Sequence, residues 1–224
     1  MTSIQPAAPE NSKSPRRPIR RFVVPCCGGC LLALLALLGF VLLSAPKLYY
    51  VPSAAMEPTL HGGDAATADH IISSNWEYRL HPPRHGDIVV FLAPARADAE
   101  NISQHIPPRE LVNVKRVVGL PGETVHIREA RQQTGARNST AYAVFRNGVR
   151  LLEPYIQEPM EPPMHSATYG IDKPIKLGPD EYYLLGDNRN DSNDSQYWGP
   201  LEKRRILGKV TWIVAPAERT RRFP

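Results

Sequence analysis

Four short segments of this 224-residue sequence combine side chains able to do chemistry with a backbone stiff enough to hold them. The first is Val51-Pro-Ser-Ala-Ala-Met-Glu-Pro-Thr-Leu60, a run with no evident structural purpose. Pro52 and Pro58 restrict its backbone on either side of Ser53 and Ala55. The second is Val114-Lys-Arg-Val-Val-Gly-Leu-Pro-Gly122, where Lys115 interrupts an otherwise apolar strand pattern. An amine kept dry among Val112, Val114, Val117 and Val118 is pushed toward its neutral, proton-accepting form. Arg116 cannot serve in that way, because a guanidinium does not deprotonate in proteins. The plainer reading of Lys115 is an edge-strand lysine that blocks aggregation. The third segment, Gly186-Asp-Asn-Arg-Asn-Asp-Ser-Asn-Asp-Ser195, is a dense polar loop between Leu185 and Tyr197-Trp-Gly-Pro200. Its carboxylates lack the glycine at the sixth position that an EF-hand calcium loop requires. The fourth and weakest is His85-Gly-Asp-Ile-Val-Val-Phe91. The seven histidines form no metal-ligand spacing, and Gly-x-Ser-x-Gly is absent, so zinc chemistry and a nucleophile elbow are disfavoured.

The elements that must position these segments fall into three stretches. Residues 1–21 form a basic tail, with Lys13, Arg16, Arg17, Arg20 and Arg21 against Glu10 alone. Residues 22–46 read as a single transmembrane helix: Phe22 to Ala45 carry no charge, and twenty-four helical residues rise about 36 Å. Only Lys47 follows closely, so the positive-inside tendency puts the N-terminus in the cytoplasm and residues 47–224 on the exported face. A cleavable signal peptide is the alternative, disfavoured by the length of the apolar run and by Pro46 after Ser44-Ala45. Cys26, Cys27 and Cys30 are the three cysteines, leaving none to form a disulfide in the exported part. They lack a fourth metal ligand and read as apolar filler or a lipid-attachment site.

The exported part is expected to be mostly β. Asp87–Leu92, Leu111–Val118, Thr124–Ile127, Tyr182–Leu185 and Ile206–Val214 are rich in β-branched and aromatic residues and bounded by turn chemistry. Asn147-Gly148 between Tyr142–Phe145 and Val149–Leu151 predicts a two-residue hairpin. The 23 prolines argue against a helical body. Residues 93–108 and 129–140 read as surface excursions. The formal charge of +5 is scattered, with no basic and aromatic residues interleaved along one face, so nucleic acid is not expected as a partner.

Taken in this order after one apolar span, the four segments resemble the sequence boxes of type I signal peptidases, over roughly residues 45–215. The resemblance implies a signal-peptidase-like β-sheet catalytic domain behind a single transmembrane helix. It implies a membrane-bound serine endopeptidase of the Ser/Lys dyad kind, which removes signal peptides from exported preproteins after small residues, without metal or other cofactor. Carried onto this chain, Lys115 is the general base and residue 55 is the nucleophile position. Ser53, with the backbone N–H of residue 55, forms the oxyanion hole. Ser192 and Asp194 orient the lysine amine, and Arg116 and Asp187 support the site. Val51, Met56 and Val114 are expected to bind substrate, the valines lining shallow pockets for Ala-x-Ala side chains. The partners implied are signal peptides and the lipid bilayer of the cell membrane, and the protein is expected to be monomeric. The family's loop continues Asp-Ser-Arg where Gln196 stands here, which leaves open any pairing among Asp187, Arg189 and Asp194.

Residue 55 is alanine, which has no oxygen to attack with, so the chain as written is expected to be inactive. An introduced Ser→Ala change, a natural pseudoenzyme that still binds signal peptides, and transfer of the role to Ser53 all remain open. In an extended segment Ser53 would lie about 6–7 Å further along. Among rivals from other classes, Ser44-Ala-Pro-Lys47 matches Ser-x-x-Lys without either companion motif of the penicillin-binding enzymes. Self-cleaving repressors also use a Ser/Lys pair, but an apolar span stands here in place of any DNA-binding unit. An exported binding module without turnover is the rival that matters.

Overall fold

The computed structural model describes residues 27–43, 45–94, 97, 112–134, 137–163, 169–171 and 173–224. The chain divides into one unit ending at Leu42 and a second running from Leu43 to the C-terminus. In the first, helix α1 spans Cys27–Leu43 and contains no charged residue. Leu31, Leu32, Leu34, Leu35 and Leu38 are all exposed on it. Its 17 residues rise about 25 Å, short of a hydrocarbon core of about 30 Å. No helix among the described residues is long and apolar enough to cross a membrane. The expected span 22–46 therefore exceeds the described helix: residues 22–26 and 44, like the basic tail 1–21, lie outside the described residues, and Ala45 and Pro46 are not helical.

The second unit is mostly β, as its composition predicts. Its strands are β1 (Lys47–Tyr50), β2 (His70–Ser74), β3 (Ile88–Leu92), β4 (Val112–Gly119), β5 (Thr124–Thr134) and β6 (Arg137–Arg146). They continue with β7 (Val149–Arg150), β8 (Ile175–Lys176), β9 (Glu181–Leu185), β10 (Leu201–Glu202), β11 (Ile206–Ala215) and β12 (Arg221–Arg222). Two short helices, α2 (Trp76–Leu80) and α3 (Ser195–Trp198), interrupt them. One sheet has the order β1-β2-β11-β3-β4-β9-β10, with β12 paired to β11. The other has the order β7-β6-β5-β8.

Strand β3 is apolar on both faces because both are covered. Val89 and Phe91 join Val117, Leu184 and Trp198 in one cluster, while Ile88 and Val90 join Val51, Met56, Ile71 and Ile213 in another. A third cluster, around Val118, Ile127, Val144 and Leu185, fills the second sheet's apolar face. The β6–β7 hairpin has Asn147 at φ 51° and Gly148 at φ 81°, the left-handed pair that Asn-Gly predicts.

Two expectations change. Residues 129–134 and 137–140 are regular strand, the distal part of the β5–β6 ribbon, paired without a break from Val125↔Arg146 to Thr134↔Arg137. A two-stranded ribbon is closed by its own backbone hydrogen bonds and needs no apolar alternation to form. Of the other stretch, 93–108, most lies outside the described residues, but Ala93 and Ala97 pack in the core beside Trp198.

Candidate active site

Residues 53–60 leave β1 as a sharp turn. Ser53 is extended and exposed, Ala54–Met56 make one 3-10 turn, and Glu57 N donates to Ala54 O at 3.0 Å. Gly62 lies against this backbone so closely that a Cβ there would stand 2.1 Å from the Ser53 carbonyl carbon. Three arginines reach Thr59: Arg219 and Arg221 donate to its carbonyl, and Arg116 Nη2 reaches its Oγ1 at 3.4 Å. Arg219 is itself held by the buried Asp69, at 2.6 and 2.8 Å, and Asp69 also accepts from His61 N. The turn is clamped from the C-terminal end of the chain, which no sequence motif announces.

Strand β4 packs against this turn and carries Lys115, only 5 % exposed. Burial pushes its pKa down from 10.5, and the nearby carboxylates of Asp194, Asp187 and Asp191 pull the other way without restoring it. Asp194, fully buried, is pushed up by the same desolvation, against hydrogen bonds from Gly186 N and Gln196 N. Both groups are driven toward their uncharged forms. The lysine is a buried amine on a strand packed against the turn at residues 54–56, not an edge lysine in solvent.

The loop after β9 closes the site from a third side. Asn188 N donates to Ala55 O at 3.2 Å, and Asn188 Nδ2 to Ala54 O at 3.3 Å. A Cβ at Gly186 would stand 2.2 Å from Ser192 Oγ and 2.5 Å from Ala55 O, so only glycine permits this approach. Ser192 Oγ and Asp194 thus lie on the loop that grips residue 55 while Asp194 faces Lys115. Asp187 forms a two-pronged pair with Arg116, Nε–Oδ1 at 2.7 Å and Nη2–Oδ2 at 2.6 Å. Arg116 Nη1 also donates to Gly86 O, which gives the His85-Gly-Asp87 segment a structural part. Asp87 itself accepts from Tyr78 and pairs with Lys209 at 3.0 Å, on the fold side of that segment.

No Asp–Arg pair forms within the loop. Arg189 turns away to Glu153, and the Gln196 amide donates to Asp194 Oδ1 at 3.2 Å in place of a cation. Among the described residues no group of His, Cys, Asp and Glu side chains converges as metal ligands.

A groove of about 460 Å³ opens onto the lysine. Leu48 to Tyr50, Pro52 and Ser53 line one side, and Val112 to Lys115 the other, with Ile71 and Val90 between. Ser53, Val114 and Lys115 are therefore brought together. Val51 and Met56, expected as substrate contacts, are each 1 % exposed and pack in the core cluster that Val114 borders. Alternation along the chain turns Val51 inward while its neighbours Tyr50 and Pro52 face the groove.

A buried amine on β4, a tight turn packed against that strand and a hydroxyl at the mouth of a groove are thus gathered in one region of the fold. The family model described as "Signal peptidase, peptidase S26" matches residues 23–215. Signal peptidase I of Leptolyngbya laminosa is 36% identical over 170 residues, 76% of this chain and 69% of that protein. Signal peptidase I of Mycobacterium tuberculosis is 29% identical over 240 residues, 91% of this chain and 75% of that protein. A crystal structure of signal peptidase I from Enterococcus faecalis aligns at 24% identity and a TM-score of 0.37, covering 58% of this chain and 97% of that one, a likeness too loose to carry weight. The chain belongs to the signal peptidase family, peptidase S26.

Proposed function

We propose that this chain carries the site of a membrane-bound signal peptidase I, with every part in place except the attacking oxygen. The observation that carries the reading is the burial of Lys115 on β4, against the turn that presents residue 55. With a serine at 55, the neutral Nζ of Lys115 would take the hydroxyl proton as the oxygen attacks the scissile carbonyl. The same nitrogen would then return the proton to the departing amine. Ser53 and the residue 55 N–H would hold the carbonyl oxygen as it gains charge, a donor of that kind contributing about 3 kcal/mol. Ser192 and Asp194 would keep the amine aimed at residue 55, and Arg116–Asp187 would fix β4 to the loop.

The groove is compatible with the substrate that the resemblance implies. Strand β3 pairs one edge of β4 from Val112 to Arg116, whereas β9 pairs the other only from Arg116 onward. Among the described residues no strand covers that second edge at Val112–Lys115. An extended peptide can add there, facing Tyr49 to Ser53, with Val114 allowing only small side chains. The peptide proposed to bind there is the exported end of a signal sequence, with the Ala-x-Ala that the family resemblance implies before the cut. The apolar α1 and the basic tail support a single-pass anchor with the N-terminus in the cytoplasm, which would put the site on the exported face; the enzyme is taken to act as a monomer.

As written, Ala55 leaves the chain able to hold this peptide and unable to cut it. The test is preprotein cleavage by the full chain beside its Ala55→Ser variant. Cleavage by the Ala55→Ser chain alone is the expected result. Cleavage by neither, with signal-peptide affinity retained, would make the protein a binding module without turnover. Cleavage by both would move the nucleophile to Ser53.

A further inference from the structure

The loop that grips residue 55 is held from outside the sheet that carries Lys115. Arg189, buried within it, donates Nε to Gly186 O at 2.9 Å and both Nη groups to Glu153, at 2.8 and 2.5 Å. Glu153 lies just beyond β7, at the end of the other sheet, in the run Glu153-Pro-Tyr-Ile156 that no sequence motif above includes. Two residues on, Tyr155 donates its hydroxyl to Glu153 Oε1 at 2.7 Å. Its ring lies 4.1 Å beneath the guanidinium carbon of Arg116 and 6.0 Å from that of Arg189. One side chain thus touches both arginines that hold the loop: Arg116 through Asp187, Arg189 through Gly186.

The chain of contacts ends at the chemistry. Glu153 fixes Arg189, and Arg189 fixes the Gly186 peptide. Gly186 N in turn holds Asp194 at 3.0 Å, and its α-carbon packs against Ser192 Oγ and Ala55 O. A buried guanidinium without its carboxylate would be strongly unfavourable where it stands. It would leave Gly186 O for another acceptor, and the loop would lose its seat. The ring of Tyr155 adds a cation–π contact to Arg116, stronger out of water than at a surface.

We infer that Glu153 and Tyr155 are positioning residues of the active site, a brace from the second sheet that sets Gly186, and through it Ser192 and Asp194, against Lys115 and residue 55. The catalytic consequence rests on the proposed peptidase reading; the structural part does not.

The experiment separates the two. Backbone amide exchange is measured first in the full chain as written, where activity plays no part. Tyr155→Phe keeps the ring beside both guanidiniums and removes only the bond to Glu153; Glu153→Gln removes the charge that holds Arg189. The brace predicts exchange at the Gly186 and Asn188 amides about 10-fold faster in Glu153→Gln and less so in Tyr155→Phe, with the β5 and β6 amides unchanged. Uniform acceleration in both sheets, or none at Gly186 and Asn188, would overturn the inference. In the Ala55→Ser background the same changes should lower kcat by about 100-fold for Glu153→Gln, with KM within about twofold, since misplacement of a reacting group costs rate more than binding. A rise in KM at unchanged kcat would contradict the brace. Inactivity of the Ala55→Ser parent would bear on the peptidase reading and leave the exchange result standing.

Discussion

Lys115 and Asp194 are the two residues whose burial runs against their chemistry, and that opposition is what a proton-transfer site requires. A lysine held below 10.5 in the fold binds its proton more weakly than in the unfolded chain, so unfolding takes up a proton between the folded value and 10.5. Stability then rises with pH across that window. The cost is complete on its acid side and gone above 10.5. Lys115→Met, similar in volume and uncharged, is therefore expected to stabilise the fold, most on the acid side, with the gain vanishing as pH approaches 10.5. Urea midpoints of both chains across the alkaline range check this; a Met variant less stable at neutral pH would contradict it. The lysine was legible because it breaks an apolar run, and the loop hydroxyls and carboxylates were legible by resemblance. Asp69, Glu153, Tyr155 and Arg219 were not. They act on the site through other residues at sequence separations of 36 or more, as in Arg189 with Glu153 and Arg219 with Asp69. Gln196 stood out in the sequence, but only the fold shows its amide serving as the neutral partner of Asp194.

At the scale of elements, strand β4 does three things at once. Its apolar residues bind it into the core on both faces, it carries the buried Lys115 against the turn at residues 54–56, and among the described residues no strand pairs its second edge at Val112–Lys115. Replacing Val114 by Trp puts a large ring into that groove without touching Lys115. In the Ala55→Ser chain, Val114→Trp is expected to lower kcat/KM for Ala-x-Ala preproteins by about 10-fold or more, a cost of at least about 1.4 kcal/mol. Unchanged cleavage would remove Val114 from the substrate pocket. The strands β3, β4, β9 and β11 were readable because burial on both faces leaves dense runs of Val, Ile, Leu and Tyr. Strand β1 was not, since its four residues Lys47–Tyr50 are too few to show an alternating pattern. The far half of the β5–β6 ribbon was missed for the converse reason, because it pairs through backbone and has no apolar alternation to read. Val51 shows how far one residue matters: it neighbours the groove in sequence and faces the core in space.

Across the whole second unit, the dryness of one amine is a collective property. The first sheet supplies β4, the C-terminal arginines hold the turn at residues 54–60, and the loop after β9 closes over Asp194 with Arg189 anchored to Glu153. Removing any one of these is expected to admit water and move the Lys115 pKa back up. Titration of the Lys115 side chain by NMR, in the full chain as written, reads this state directly and needs neither substrate nor nucleophile. A midpoint below 10.5 is expected for Lys115. A midpoint at or above 10.5 would show an amine protonated under all working conditions, and Lys115 could not be the base.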